Sequence, residues 1–229
     1  MQTLTALRTA GNAALVVVDV QKGFDDPVND SRGRSNPDAE RNIKDLLDRW
    51  QATGRPVVFA RHTSLARDSF LRAGQVGNDF QDFVQERLGR GAGPELVVDK
   101  TVNSAFIGTP DLRDWLERAG VRQVVVVGIQ TNGCVETTAR MGGNLGFDVV
   151  VPLDATYTFA ETGPDGERLS AEEITRATAV NLHALGFARV VRTADVLTST
   201  DTAQADATQA EGRHAGRPDA AVPGGGSRG

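Results

Sequence analysis

Three reactive side chains of different chemistry each follow an apolar run of the sequence. Asp19 follows the run LVVV, Lys100 follows LVVD, and Cys134 follows VVVV and the polar turn GIQTNG. A thiol beside a carboxylate and an ammonium can act as a nucleophile, because the carboxylate accepts its proton and the cation stabilises the charges. If the runs are neighbouring parallel strands, the three side chains meet at one edge of a sheet.

Taken alone, Cys134 has two interpretations. It falls in the first turn of a predicted helix, where the partial positive charge favours a thiolate, so we expect its pKa to lie below the usual value of about 8.5. A nearby lysine would lower that pKa further. The alternative is a buried structural cysteine, which is the commoner role of a free cysteine.

Lys100 and Asp19 also have ordinary interpretations. Lys100 could be a surface lysine that pairs with Asp99, and Asp19 could order a loop. Lysine is rare in this chain, however, with three examples among 25 basic residues. A lysine after an apolar run is expected to be partly buried and to need a counter-charge. The joint placement of a carboxylate, an ammonium and a thiol favours a catalytic set.

The elements that must hold these side chains alternate between strand and helix about six times. The predicted strands cover residues 14–20, 56–60, 95–98, 123–127, 148–153 and 189–192. These runs lack the two-residue alternation of half-exposed strands, so both faces of the sheet are expected to be covered. The predicted fold class is therefore α/β, a doubly wound six-stranded parallel sheet with helices on both faces in a Rossmann-like three-layer arrangement.

Helical periodicity fills the segments between the strands. The predicted helices cover residues 37–53, 79–88, 109–119, 132–144 and 170–185. Thr109-Pro110 is predicted to open one of them, with a capping threonine followed by proline, and Ser170 and Glu173 form a predicted capping box for another. Residues 1–200 are predicted to form one domain, and residues 203–229 have too few large apolar side chains to fold, so a disordered tail is expected.

Composition excludes several functional classes. The formal charge is −5 and no segment gathers the basic residues, so a nucleic-acid binder is not expected. One cysteine excludes an internal disulfide and favours a reducing, cytoplasmic location. No segment has 18 consecutive apolar residues, so no membrane partner is expected. The expected partner is a small-molecule substrate.

Three motifs bear a resemblance to a known family. The chain resembles the isochorismatase-like cysteine hydrolases in D-x-Q-x-x-F, K-x-x-x-S-A-F and G-x-x-T-N-x-C-V-E-x-T-A-R, which occur in this order. The resemblance covers roughly residues 13–197, which is nearly the whole predicted domain. It implies the isochorismatase-like fold and, since members of this family usually form dimers or tetramers, a homo-oligomer.

The resemblance implies a role for each member of the set. Asp19 would be the general base, Lys100 its cationic partner and Cys134 the nucleophile. A cis peptide between Ile129 and Gln130 would direct the backbone N–H groups of Gln130 and Cys134 at the substrate carbonyl oxygen, as an oxyanion hole. The implied reaction is cleavage of a C–N bond in a small amide, lactam or carbamoyl compound through a thioester.

Metal use divides this family. Nicotinamidase-type members carry an aspartate and histidines after the second strand, whereas the corresponding segment here, FARHTS, offers only His62. The sequence therefore predicts no catalytic metal and no cofactor. His62 becomes a candidate for substrate contact, although a loop histidine bonded to the backbone is an equal alternative.

Aromatic side chains near the strand ends supply further substrate-binding candidates. These are Phe24, Phe106 and Tyr157, since an aromatic wall with few polar groups suits a small planar substrate. Ordinary core packing is the alternative for Phe24 and Phe106.

Two other functions stay open. Vinyl-ether hydrolysis, as in true isochorismatases, needs an acid but no nucleophile. A non-catalytic binding or redox-sensing module would use Cys134 only as an oxidisable thiol.

Overall fold

The computed structural model of the chain describes residues 9–200, so the tail predicted over residues 203–229 lies outside the described residues. The strands are β1 (Ala14–Val18), β2 (Val57–His62), β3 (Glu95–Lys100), β4 (Gln123–Ile129), β5 (Asp148–Pro152), β6 (Thr156–Tyr157), β7 (Glu161–Thr162), β8 (Arg168–Leu169) and β9 (Arg189–Val191). The helices are α1 (Pro27–Arg32), α2 (Ala39–Ala52), α3 (Asp82–Gln85), α4 (Leu112–Arg118), α5 (Glu136–Asn144) and α6 (Ala171–Ala184).

Six of these strands form a parallel sheet in the order β3-β2-β1-β4-β5-β9. The two-residue strand β6 adds to the end of β4, and β7 and β8 form a separate hairpin. This confirms the predicted α/β class and the six-stranded parallel sheet. The strand order reverses between β1 and β4, and ligands of such sheets bind beyond the carboxyl ends of the strands at that point.

The sheet is covered on both faces, as the unbroken apolar runs predict. Every residue of β1 and β4 is buried. One face packs against α2, whose Trp50 donates its indole N–H to the Ala13 carbonyl oxygen at 2.8 Å. The other face carries a second core that includes residues of α4, α5 and α6. Two cores on a rigid sheet fix the strand ends to which the reactive side chains are attached.

Helix α4 begins later than the sequence predicts. Thr109 and Asp99 exchange two backbone hydrogen bonds of 2.9 Å, so Thr109 forms an isolated antiparallel bridge to β3 and does not cap the helix. The Thr109–Pro110 peptide is cis, and the cap is Asp111, which accepts from the Asp114 N–H. The capping box of Ser170 and Glu173 is confirmed at the start of α6.

No helix within residues 9–200 is both long and apolar enough to cross a membrane.

Candidate active site

The carboxylate of Asp19 and the ammonium of Lys100 form a pair from which solvent is excluded. Nζ of Lys100 donates to Oδ2 of Asp19 at 2.7 Å, and both side chains have zero exposure. Lys100 also donates to the Val102 carbonyl oxygen at 3.2 Å. Buried charges persist when each is paired and hydrogen-bonded, so the two groups hold each other in place.

The backbone of Asp19 has an uncommon conformation. It follows β1 with φ of 51°, in the left-handed region that aspartate tolerates better than most residues. Its N–H still donates to the Ala60 carbonyl oxygen at 2.9 Å, which ties it to β2. The chain therefore turns sharply at the carboxyl end of β1.

Cys134 lies in a π-helical turn, Thr131–Val135, that joins β4 to α5. The Gln130 carbonyl oxygen accepts from the N–H groups of Gly133 at 3.0 Å and Val135 at 3.2 Å, which fixes the turn. The predicted cis peptide between Ile129 and Gln130 is present. The thiol is half-buried and lies close enough to Asp19 and Lys100 to interact with both.

The electrostatics of the thiol differ from the prediction. Burial, together with the neighbouring Asp19 carboxylate, raises the pKa of Cys134 to about 12, although Lys100 opposes the shift. The predicted lowering of this pKa is therefore wrong, because desolvation of the thiolate and repulsion by Asp19 outweigh the attraction of Lys100. Burial also raises the pKa of Asp19, against the opposing charge of Lys100. The resting thiol is protonated and needs a base.

His62 joins the site from the strand between those of Asp19 and Lys100. It ends β2 and pairs in register with Lys100. Its Nδ1 is buried without a hydrogen-bond partner, and ligand atoms of Asp19, His62 and Cys134 lie within 4.8 Å of one another. Burial and the charge of Lys100 lower the pKa of His62, so the imidazole is neutral at pH 7.

Gln21 holds the His62 backbone and was not assigned a role from the sequence. Its Oε1 accepts from the His62 N–H at 2.9 Å, and its Nε2 donates to the carbonyl oxygens of His62 at 3.0 Å and Asn78 at 2.8 Å. The signal was present, since Gln21 is the second fixed position of the D-x-Q-x-x-F motif. The amide locks the carboxyl ends of β1 and β2 together.

The aromatic candidates do not form one wall. Tyr157 is fully buried and packs edge-on to Phe159 at 5.8 Å within the core that faces α2, so we reassign it from substrate contact to core packing. Phe24 packs against the same core, whereas Phe106 stacks on Phe147 at 5.6 Å on the opposite face of the sheet. The sequence does not reveal this division, because loop residues do not follow strand alternation.

The segment FARHTS at the end of β2 contains His62 but no carboxylate and no second histidine. The site that the structure does assemble has four strand ends side by side: Lys100 on β3, His62 on β2, Asp19 after β1 and Cys134 after β4. This combination of a nucleophile, a buried carboxylate and a buried cation is suited to acyl transfer.

The sequence comparison agrees with this geometry. The family described as "Isochorismatase domain" matches residues 13–201, which include every residue of the site. The chain belongs to the isochorismatase family. As an isochorismatase-family hydrolase, it carries its nucleophile on the turn after the central strand β4.

Characterised and uncharacterised relatives are similar over most of the chain. The isochorismatase family protein YrdC of Bacillus subtilis is 36% identical over 170 residues, covering 74% of this chain and 87% of the relative. Nicotinamidase 3 of Arabidopsis thaliana is 34% identical over 187 residues, covering 78% and 84%. A hydrolase of the isochorismatase family from Chromobacterium violaceum superposes with a TM-score of 0.79 at 37% identity, covering 87% of this chain and 100% of the other.

Proposed function

We propose that this isochorismatase-family hydrolase is a cysteine amidohydrolase that cleaves the C–N bond of a small amide, lactam or carbamoyl compound through a thioester on Cys134. The observation that carries the proposal is the 2.7 Å pair of Asp19 and Lys100, buried beside the chain's single cysteine. Of the functions open from the sequence, only acyl transfer uses all three groups.

The chemistry begins with proton transfer. Asp19 accepts the thiol proton while Sγ of Cys134 attacks the carbonyl carbon, and the carbonyl electron pair moves to its oxygen. The backbone N–H groups of Gln130 and Cys134 are proposed to stabilise that oxyanion, and losing one such donor typically costs about 10²–10³ in rate. Asp19 then protonates the leaving nitrogen as the C–N bond breaks.

Deacylation uses the same base. Asp19 is a carboxylate again once the amine has left, so it can accept a proton from the water that attacks the thioester. The C–S bond breaks, the product acid leaves and the thiol regains its proton. Lys100 stabilises negative charge on Asp19 and on the sulfur in turn.

The raised pKa of Cys134 supports an enzyme over a redox sensor. Oxidant-sensing cysteines depend on an accessible thiolate with a low pKa. A pKa of about 12 leaves almost no thiolate at neutral pH, so the sulfur becomes nucleophilic only with the help of Asp19. The similarity to a protein named nicotinamidase also supports amide chemistry.

The proposal is tested by an ammonia-release screen over small amides, ureas, carbamoyl compounds and lactams. We expect at least one class to be hydrolysed by the native chain and not by Cys134→Ser. Rapid acid quench and intact mass should reveal an acyl adduct on the native chain, located at its single cysteine. Turnover of isochorismate by both chains, without any amide turnover, would instead establish the vinyl-ether reaction.

A further inference from the structure

We propose that Asp19, His62 and Cys134 also form a binding site for a divalent cation of the zinc class, and that the bound ion switches the hydrolase off. The cluster joins one oxygen, one nitrogen and one sulfur ligand at the open edge of the sheet. Binding rests on the ligand geometry alone, whereas the inhibition rests on the proposed function.

The three ligand atoms already lie close to the required spacing. They are within 4.8 Å of one another. A tetrahedral zinc ion has bonds of about 2.0–2.3 Å to these atom types, which places its ligand atoms about 3.3–3.7 Å apart. Small side-chain rotations therefore suffice to close the cluster around an ion.

Two buried polar atoms on the side chains of this cluster have no conventional hydrogen-bond partner within residues 9–200. Oδ1 of Asp19 and Nδ1 of His62 are buried and have no hydrogen-bond partner among the described residues. A buried polar atom without a hydrogen-bond partner raises the free energy of the folded state, so an ion that coordinates both atoms would remove both costs. Lys100 occupies the other carboxylate oxygen, Oδ2, and leaves Oδ1 available.

The donor set selects the kind of ion. Imidazole, thiolate and carboxylate together suit zinc, cobalt and cadmium, whereas magnesium and calcium prefer oxygen ligands alone. The thiol proton leaves for solvent as the S–metal bond forms, and water fills the fourth position. The Lys100 ammonium repels a dication, so we expect weaker binding than in a closed four-ligand structural site.

The bound ion would remove the two groups on which the proposed reaction depends. The sulfur lone pair that attacks the carbonyl is taken up in the S–metal bond. The Asp19 oxygen that accepts the thiol proton is coordinated as well. Zinc would thus act as a reversible inhibitor.

Cobalt titration of the full chain tests binding without reference to activity. A thiolate bound to cobalt gives a near-ultraviolet charge-transfer band, and with one cysteine in the chain this band reports Cys134 alone. We expect saturation at one ion per chain and weakening by about 100-fold or more in His62→Ala, because losing even an outer-shell partner costs about 10–100-fold. His183→Ala, which removes an exposed histidine on α6, is the matched control and should bind normally.

A second measurement needs no variant. Zinc should slow iodoacetamide alkylation of Cys134 in the native chain by about tenfold or more, since a metal-bound thiolate is withdrawn from reaction, whereas magnesium should leave the rate unchanged. Absence of the cobalt band, or equal protection by magnesium, would overturn the site. A cobalt band with amide turnover unimpaired at saturating zinc would overturn the inhibition and leave the amidohydrolase assignment standing, whereas a screen without turnover would end that assignment alone.

Discussion

Nζ of Lys100 lies 2.7 Å from Oδ2 of Asp19, although Lys100 ends β3 and Asp19 follows β1, and these two strands are not neighbours in the sheet. Strand β2 runs between β3 and β1, so the Lys100 side chain crosses the end of a neighbouring strand to reach the carboxylate. The pair is therefore built across three strands. That arrangement leaves the opposite side of Asp19 open to the thiol from β4.

Replacing Cys134 with alanine should abolish turnover while the fold persists. The half-buried side chain loses one sulfur atom, and the turn that carries it is held by backbone bonds to Gln130. Ammonia release measures the loss, and circular dichroism with thermal unfolding verifies the fold. Retention of most of the activity would exclude a thioester mechanism.

Replacing Asp19 with asparagine should separate thiol reactivity from catalysis. Hydrolysis should fall by about 10²–10⁴, the usual contribution of a general base. Alkylation of Cys134 should become faster at a given pH, because the Asp19 charge raises the thiol pKa and Lys100 lowers it. Slower alkylation in Asp19→Asn would contradict this account of the site's electrostatics.

Replacing Lys100 with methionine should have the opposite effect on the thiol. Removal of the cation leaves the carboxylate as the dominant neighbour of Cys134, so the thiol pKa rises further and alkylation slows. Hydrolysis should fall as well. Rates of iodoacetamide modification across pH, compared among the native chain, Asp19→Asn and Lys100→Met, measure both directions in one experiment.

On the acid side of the pH profile, activity should be lost at a pH above the usual pKa of an aspartate. Asp19 must be ionised to accept the thiol proton, and burial raises its pKa, so activity should fall as the pH drops through that raised value. The kcat/KM profile measures this acid limb. His62 also faces the site, but its pKa is lowered, so the limb should survive in His62→Gln. Loss of the limb in that variant would assign the base to His62.

Chelation should not lower activity. The chemistry proposed for the three groups requires no metal, and if zinc inhibits, EDTA should leave the rate unchanged or raise it. Assays before and after dialysis against EDTA measure this. Full inactivation by EDTA that zinc restores would refute the metal-free reaction.

Gly128 should not tolerate a side chain. Its φ is 121°, and an added Cβ would lie 2.0 Å from the Val18 carbonyl oxygen on the paired strand. Gly128→Ala should therefore lower the free energy of unfolding by at least about 2 kcal/mol. Gly146→Ala is the control, because Gly146 has φ of 89° but open space around it, and should cost about 1–2 kcal/mol. Urea denaturation compares the two.

Most of the fold could be predicted because the buried strands of the sheet appear in the sequence as unbroken apolar runs. The runs before Asp19 and Cys134 became β1 and β4, both buried on two faces. Helix boundaries were less accurate where tertiary pairing competed with local signals, as when Thr109 paired with Asp99 instead of capping a helix.

The candidate site was predictable in residue type but not in its electrostatics. The thiol pKa depends on burial and on the distance to Asp19, and neither can be obtained from spacing along the chain. The same limit explains Tyr157, whose position after a strand is visible in the sequence while its complete burial is not. His62 could be identified as a candidate only because the family resemblance directs attention to the segment FARHTS, in which it is the one histidine.

The pairing of Ala14 with Val124 joins β1 and β4 in the sheet, although β2, β3 and the connecting helices lie between these two strands in the sequence. Contacts between segments so far apart in the chain form late and slowly in folding, whereas helices form early. On dilution from denaturant, hydrolytic activity should therefore return after the far-ultraviolet helical signal. The delay between the helical signal and the activity would measure how long β1 and β4 take to pair at the centre of the sheet. Recovery of catalysis would thus report the last stage of folding.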